Sequence, residues 1–457
     1  MKRLRQGFWF LMIAAVLAAV LLFKSKLLRN EVSIRLQDRL PVSDVLIRLK
    51  IMDLSKELSP ILYKYKLPIR EFASSDFLLS QGKLYGINIQ QEAYMFSKMD
   101  MSEWGIMVAL NDSSKVINFV DRFRKSTQIL DSSTSDVRVL HFAEQEIALC
   151  YEKYYALIYY GKDLAKRLRR IRSVQKNHKD QAWKHFFQRS KDITDPIIAY
   201  SESALLQPWG MQYAVVRSEN DSTHIRLSGF LKTFEPHGIR FRKGTKGLPL
   251  NASDTKAVEL HLDSTFKQQA FALKLTSELH KLGKKIGFPT NLFLAAWDGN
   301  LSFREGGRVS STEKIIVTEF DENFNPTEVV RLQKIMVPGY SILLGVNPGI
   351  KQFIQALYAK GILRNEEQKL RFLYAPLLSM KADKQHYRFS SSSHFPKLVS
   401  SEENYVRWTL NKEPCFIRLS DYGSDFFNLT FDMPSKLLIK EWQKKKRKKK
   451  LKPTKPQ

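Results

Sequence analysis

The chain has 457 residues, 43% of them hydrophobic and 12% aromatic, which excludes a disordered chain and suits two or three domains. Its formal charge of +28 suggests a nucleic-acid binder until the charge is located. Residues 1–30 carry a net +6, residues 161–192 a net +8 and residues 440–457 a net +9, so all but five of the 28 charges sit in three runs and the body is near neutral. Two cysteines, Cys150 and Cys415, exclude a cysteine-rich zinc site or a disulfide framework and read as buried thiols.

In chain order, a short basic tail (1–6) precedes the apolar run 7–23, GFWFLMIAAVLAAVLLF. Seventeen helical residues span roughly 25 Å, and flanking lysines and arginines can snorkel to headgroups. No small-x-small cleavage site follows the run. The expectation is therefore an uncleaved signal anchor: a single-pass transmembrane helix with an extracytoplasmic, periplasmic body.

The first domain is expected over 30–192. Val45, Ile47, Leu49 and Ile51 alternate as a strand with one apolar face, and Leu54–Tyr65 reads as a short helix. Short apolar runs at Gly86–Ile89, Ala93–Phe96 and Trp104–Leu110 lead to the cap Asn111–Ser114 and a helix carrying Val116, Ile117, Val120 and Phe123. Three closely spaced strands, Val137–Phe142, Gln145–Tyr151 and Tyr155–Tyr160, make an antiparallel meander. A basic linker helix (161–192) closes the domain, with Leu164, Leu168, Ile171 and Val174 on one stripe among Arg167, Arg169, Arg170 and Arg172.

The second domain is expected over 193–440. Val258–Asp263 alternates, with Val258, Leu260 and Leu262 inward and Glu259, His261 and Asp263 on the wet face. Phe266–Leu282 reads as a helix stopped by Gly283, and Leu292–Phe303 as a hairpin turning at Asp298-Gly299. A strand at Ile315–Phe320, a helix near Pro326–Met336, a strand at Ser341–Val346 and a helix over Gly349–Lys360 follow. The fold class is thus α+β: a transmembrane helix, then two mainly antiparallel-sheet domains with flanking helices. The order strand pair, helix, strands recurs in both halves, as an old duplication would leave it.

Residues 441–457 form a polybasic tail expected to be disordered. Lys444, Lys445, Lys446, Arg447, Lys448, Lys449 and Lys450 repel one another until an anionic partner neutralises them. Together with Arg167, Arg169, Arg170 and Arg172 they are the candidate contacts for anionic lipid or envelope polymer, or for nucleic acid if the body faces the cytoplasm.

No catalytic, cofactor-binding or metal-binding motif emerges. His261 and Asp263 are accounted for by the strand, and Ser390–Ser393 lacks the glycines of a nucleophile elbow. Gly86-Ile87-Asn88-Ile89, Tyr94-Met95-Phe96, Trp104-Gly105-Ile106-Met107-Val108 and Ala295–Asn300 resemble a group of bacterial membrane-tethered or lipoprotein-type envelope proteins of uncharacterised families. The likeness spans about residues 40–350, though this chain has no lipidated cysteine. The resemblance implies an extracytoplasmic α+β body and supplies no active site. The expected function is a non-enzymatic binding or scaffold protein of the cell envelope, with an anchored hydrolase of dispersed site residues as the alternative.

Overall fold

The computed structural model describes residues 36–437 apart from 65–73, 125–126, 134–136, 143–145, 163, 174–182, 235–239, 269, 321–323, 367–368, 373–376, 393 and 423–424. The chain divides into two compact units. Unit 1 comprises residues 1–204, 213–230 and 434–457, and unit 2 comprises 205–212 and 231–433.

Unit 1 opens with β1 (Val45–Leu49), α1 (Ile51–Lys64) and α2 (Ser75–Tyr85). The side chain of Ser74 caps the first turn of α2, and Gly86 ends it at φ +70°, a left-handed conformation that favours glycine. Strands β2 (Ala93–Ser97) and β3 (Trp104–Ala109) precede α3 (Val116–Arg124), and β4 (Ile129–Asp131), β5 (Arg138–Phe142), β6 (Ile147–Tyr151) and β7 (Tyr155–Tyr160) complete the expected meander. Helices α4 (Leu164–Ser173) and α5 (Lys184–Arg189) are followed by β8 (Ile197–Ser201), β9 (Met211–Ser218) and β10 (His224–Thr233). Strand order is β4-β5-β6-β7-β3-β2-β1-β8-β9, every neighbouring pair antiparallel.

Both faces of this sheet are covered. On one, Leu46, Phe96, Met107, Cys150 and Leu157 pack with Leu168 and Ile171 of α4 and Phe186 of α5. On the other, Val45, Ile47 and Leu49 pack against Met95 and Trp104. The alternation in β1 therefore marks two buried faces, not one. A C-terminal segment finishes the unit: Leu437 is 1% exposed, and the backbone N–H of Ser435 donates to the Thr223 carbonyl at 2.8 Å.

Unit 2 contains β11 (Thr245–Gly247), β12 (Asp254–His261), α6 (Ala270–Lys284), α7 (Thr290–Ala296), β13 (Trp297–Phe320), β14 (Pro326–Val346) and α8 (Ile350–Ala359). Eight shorter strands follow: β15 (Leu363–Glu366), β16 (Lys369–Phe372), β17 (Leu377–Ala382), β18 (His386–Ser390), β19 (Val399–Ser401), β20 (Asn404–Leu410), β21 (Glu413–Tyr422) and β22 (Phe426–Pro434). The antiparallel order is β22-β21-β20-β12-β13-β14-β18-β17-β16-β15. Ala272 of α6, Ala296 of α7 and Ile350, Phe353 and Leu357 of α8 pack on Leu344 and Phe389 of the sheet.

Three expectations need correction here. Thr290–Ala296 is a helix, so Leu292–Phe303 is no hairpin. Asp298-Gly299 instead sits in a bulge between the pairs Trp297↔Val346 and Leu301↔Leu344. Gly299 is required there: its φ is +105°, and a Cβ would lie 2.6 Å from the Leu262 carbonyl oxygen. Second, Pro326–Met336 is strand, because Val329 and Val330 face Val317 and Ile316 and β-branched pairs favour the pleated surface.

The third correction concerns the membrane. The longest helix among the described residues, α6, has 15 residues, short of the ~20 apolar residues a crossing needs. No helix among the described residues is long and apolar enough to cross a membrane. The transmembrane part of the fold class, the single-pass signal anchor, the membrane as partner and the membrane localisation are withdrawn. The 7–23 run on which they rested lies outside the described residues. What stands is an α+β fold with two sheet-rich units and flanking helices.

Candidate functional site

The most polar place inside unit 2 is the face of β12 expected to be wet. Glu259 and His261 are 1% and 0% exposed, and opposite them on β13 Asn300, Ser302 and Arg304 are equally sealed. Alternation puts each set on one face, and the register sets Glu259 against Ser302 and His261 against Asn300. The Ser302 hydroxyl donates to Glu259 Oε1 at 2.7 Å, His261 Nε2 lies 3.0 Å from the same oxygen, and the Arg304 guanidinium pairs with Glu259 Oε2. His261 Nδ1 meets Asn300 Oδ1 at 2.8 Å, and Asn404 Oδ1 accepts from the His261 backbone N–H at 2.6 Å. Above Glu259 sits Gly247 of β11, where a Cβ would come within 2.2 Å of Oε1.

A serine, a histidine and a glutamate together invite comparison with a nucleophile triad, but the connections differ. Ser302 donates to the carboxylate, not to the imidazole, so the serine–imidazole–carboxylate order of a triad is not formed. The remaining Arg304 donors go to the carbonyls of Pro249 (3.2 Å), Val258 (2.9 Å) and Phe303 (2.9 Å), and to that of Leu248. All three Arg304 nitrogens are committed to the protein itself, while His261 Nε2 is buried without a formed hydrogen bond. The network is a lock that ties β11, β12, β13 and the 248–249 loop together.

Beside the lock opens a cleft of about 260 Å³, lined by Arg304, Asp254, Tyr340, Ser391, Ser392 and His394 among others. Asp254 accepts from the backbone N–H of Asn251 at 2.7 Å, and the Ser391 hydroxyl accepts from that of Tyr340 at 2.8 Å. These side chains hold loops in place. They do not converge on a substrate position.

From this base the two long strands leave the sheet. Strand β12 pairs with β13 only as far as Gly306, and β18 pairs with β14 only from Ser341. Beyond the facing glycines Gly306 and Gly339, β13 and β14 pair with one another alone among the described residues, from Arg308↔Pro338 to Phe320↔Pro326. The two glycines are obligatory: a Cβ on Gly306 would lie 2.4 Å from the Ser253 carbonyl oxygen, and one on Gly339 would lie 2.6 Å from that of Gly306. The result is a free two-stranded arm.

The arm is apolar. One face carries Met336, Leu332, Ile316, Val330 and Phe320, exposed by 59, 65, 67, 60 and 67%, with Phe324 at 84% beyond them. Val329, on the opposite face, is 37% exposed. Isolated exposed apolar residues are ordinary, whereas several on one face of a ribbon with two unpaired edges mark a contact surface. Glu319 and Arg331 form an ion pair across the strands, and Glu328 lies exposed near the tip.

Of the residues expected to meet anions, only Arg169 is fully described. Arg169 is exposed on α4, while the side chains of Arg167, Arg170 and Arg172 and the whole of Lys444 to Lys450 lie outside the described residues. No group of three or more metal-ligating side chains exists among the described residues. Cys150 and Cys415 are buried free thiols. Burial pushes the thiol of Cys150 up to about 12 and, aided by Asp432 and Glu413, that of Cys415 to about 11.

No family model matches the chain, and no curated protein does either. Among solved structures, crystal form I of TP0453 aligns at a TM-score of 0.30 and 10% identity, over 44% of this chain and 80% of its own. Crystal form III aligns at 0.30 and 11% identity, over 45% and 81%. The chain is distantly similar to TP0453. A likeness that weak assigns no role, and the site has to be read from its own geometry.

Proposed function

We propose that this chain is a non-enzymatic binding protein whose working surface is the arm of unit 2. The supporting observation is the set of exposed apolar side chains Met336, Leu332, Val330, Ile316 and Phe320 on one face of a ribbon that pairs only with itself among the described residues. Five apolar side chains each exposed by 59% or more on one ribbon face are more than scattered surface residues, and such clusters serve contact. The Glu259–His261–Arg304 lock supports the same reading over an anchored hydrolase, since Glu259 and His261 are sealed and Ser302 is not bonded to the imidazole.

The test is site-specific photocrosslinking in the cells that make the protein, with a photoreactive phenylalanine analogue at Leu332 or Phe324 and a control at Lys153 on unit 1. Discrete adducts from the two arm positions, and none from Lys153, are expected. Arm positions that give no adduct of any kind would overturn the proposal.

A further inference from the structure

We infer that the occupant of the arm is a second copy of this chain, the two arms lying face to face and antiparallel about a two-fold axis, with Lys334 of each over Glu328 of the other. This rests on the binding reading above and names its partner.

The pleat decides which residues share the face. Alternation and the β13–β14 register put the even-numbered positions of both strands on one side of the ribbon, in rows from Ser310 and Met336 near the base, through Ile316 and Val330, to Phe320 and Pro326 at the tip. Along β14 that face reads Met336, Lys334, Leu332, Val330, Glu328 and Pro326, all exposed. Lys334 and Glu328 have no ion-pair partner among the described residues. Six residues of extended strand hold them ~20 Å apart, so they cannot meet within one arm. Positions 312 and 314 share the face, but their side chains lie outside the described residues, and the pairing needs neither.

The order along β14 is its own complement. Lys334 and Glu328 stand equally far from the level of Arg331, one toward the base and one toward the tip, with Leu332 and Val330 between them. A two-fold axis lying across the ribbon at that level reverses the second arm and brings β14 over β14. Lys334 then lies over Glu328 of the second copy, Leu332 over its Val330 and Met336 over its Pro326, and each contact occurs twice. Sliding the axis by one residue sets Lys334 over Val330 or over Pro326 and leaves both charges unmet, while parallel arms bring like charges to one level. Opposite charges at equal distances from an apolar centre, on one surface, are what a self-complementary two-fold contact requires.

Area sets the strength. The overlapping rows, 310–320 and 326–336, are ~37 Å long and ~10 Å wide, so each copy buries roughly 400 Å² and the pair ~800 Å², the size class of transient encounters. A weak, reversible dimer with a Kd of ~10–100 μM is therefore expected.

The test is sedimentation velocity on the full chain up to ~1 mM, with circular dichroism to establish that each variant folds. Glu328→Lys and, separately, Lys334→Glu make both charge contacts repulsive, and each is expected to raise the Kd roughly fivefold or more. The double variant Glu328→Lys/Lys334→Glu reverses both charges in one chain, restores attraction at both contacts and is expected to dimerise like the wild type. That recovery cannot come from a folding defect.

A wild type that stays monomeric throughout, single variants that leave the dimer unchanged, or a double variant that fails to recover would each overturn the second copy. Open-ended oligomers instead of dimers would overturn the two-fold pairing. A monomer whose Leu332 position still crosslinks to a different protein would overturn this inference and leave the binding reading intact; no dimer and no adduct would remove both.

Discussion

Removing the Arg304 guanidinium tests whether the buried lock holds the base of the arm. In Arg304→Met the side chain keeps its volume and loses its charge. Glu259, 1% exposed, is left with only Ser302 and His261 beside it, and the carbonyls of Leu248, Pro249 and Val258 lose their donor. Breaking a buried pair from one side costs ~3–5 kcal/mol, a fifth or more of a typical unit's ~5–15 kcal/mol. Glu259→Gln added to Arg304→Met removes the stranded charge and is expected to recover about half of that loss. The assay is hydrogen exchange with mass spectrometry across a denaturant series, read on peptides covering 254–261 and 297–306. An Arg304→Met loss within ~1 kcal/mol, or a double variant as weak as the single, would refute the reasoning.

Other consequences are as concrete. Phe186→Ala, which empties a fully buried position packed against Tyr200 and Phe187, is expected to cost unit 1 ~3–5 kcal/mol in denaturant melts. Asp221 is held near 2, below its ordinary 3.8, chiefly by the Thr223 hydroxyl and then by the backbone N–H groups of Thr223 and His224 and by Arg226. The stabilisation is full above the ordinary value and disappears as pH falls through 2, so Asp221→Asn should lower the melting temperature at pH 6 and leave it unchanged near pH 2. A disulfide thiol reagent at pH 8 should find neither Cys150 nor Cys415 in the folded chain and both in denaturant; rapid labelling of the native protein would contradict their burial.

Much of unit 1 was legible in the sequence because its signals are local. The strands between Val137 and Tyr160, and the cap ahead of α3, follow from alternation and one turn chemistry. Unit 2 was harder, for two physical reasons. Alternation in β12 separates Glu259 and His261 from Leu260 and Leu262, but says nothing about which face water reaches. The polar face is sealed because Asn300, Ser302 and Arg304 arrive opposite it from 39 to 45 residues away. A matching polar period on two strands was the available signal. The arm was missed because apolar residues between Pro326 and Met336 also fit helical spacing; the β-branched residues at 315–317 and 329–330 argue for strands. The membrane tether came from the 7–23 run alone, and none of the described helices extends it.

The interleaved division of the chain sets an order of assembly during synthesis. Unit 2 is complete once residue 433 has emerged, whereas unit 1, begun far earlier, waits for Ser435 and Leu437 to seal it. Most of the polypeptide is therefore made while its first-translated half still lacks its last piece. Residues after 433 finish a unit whose first strand lies near residue 45.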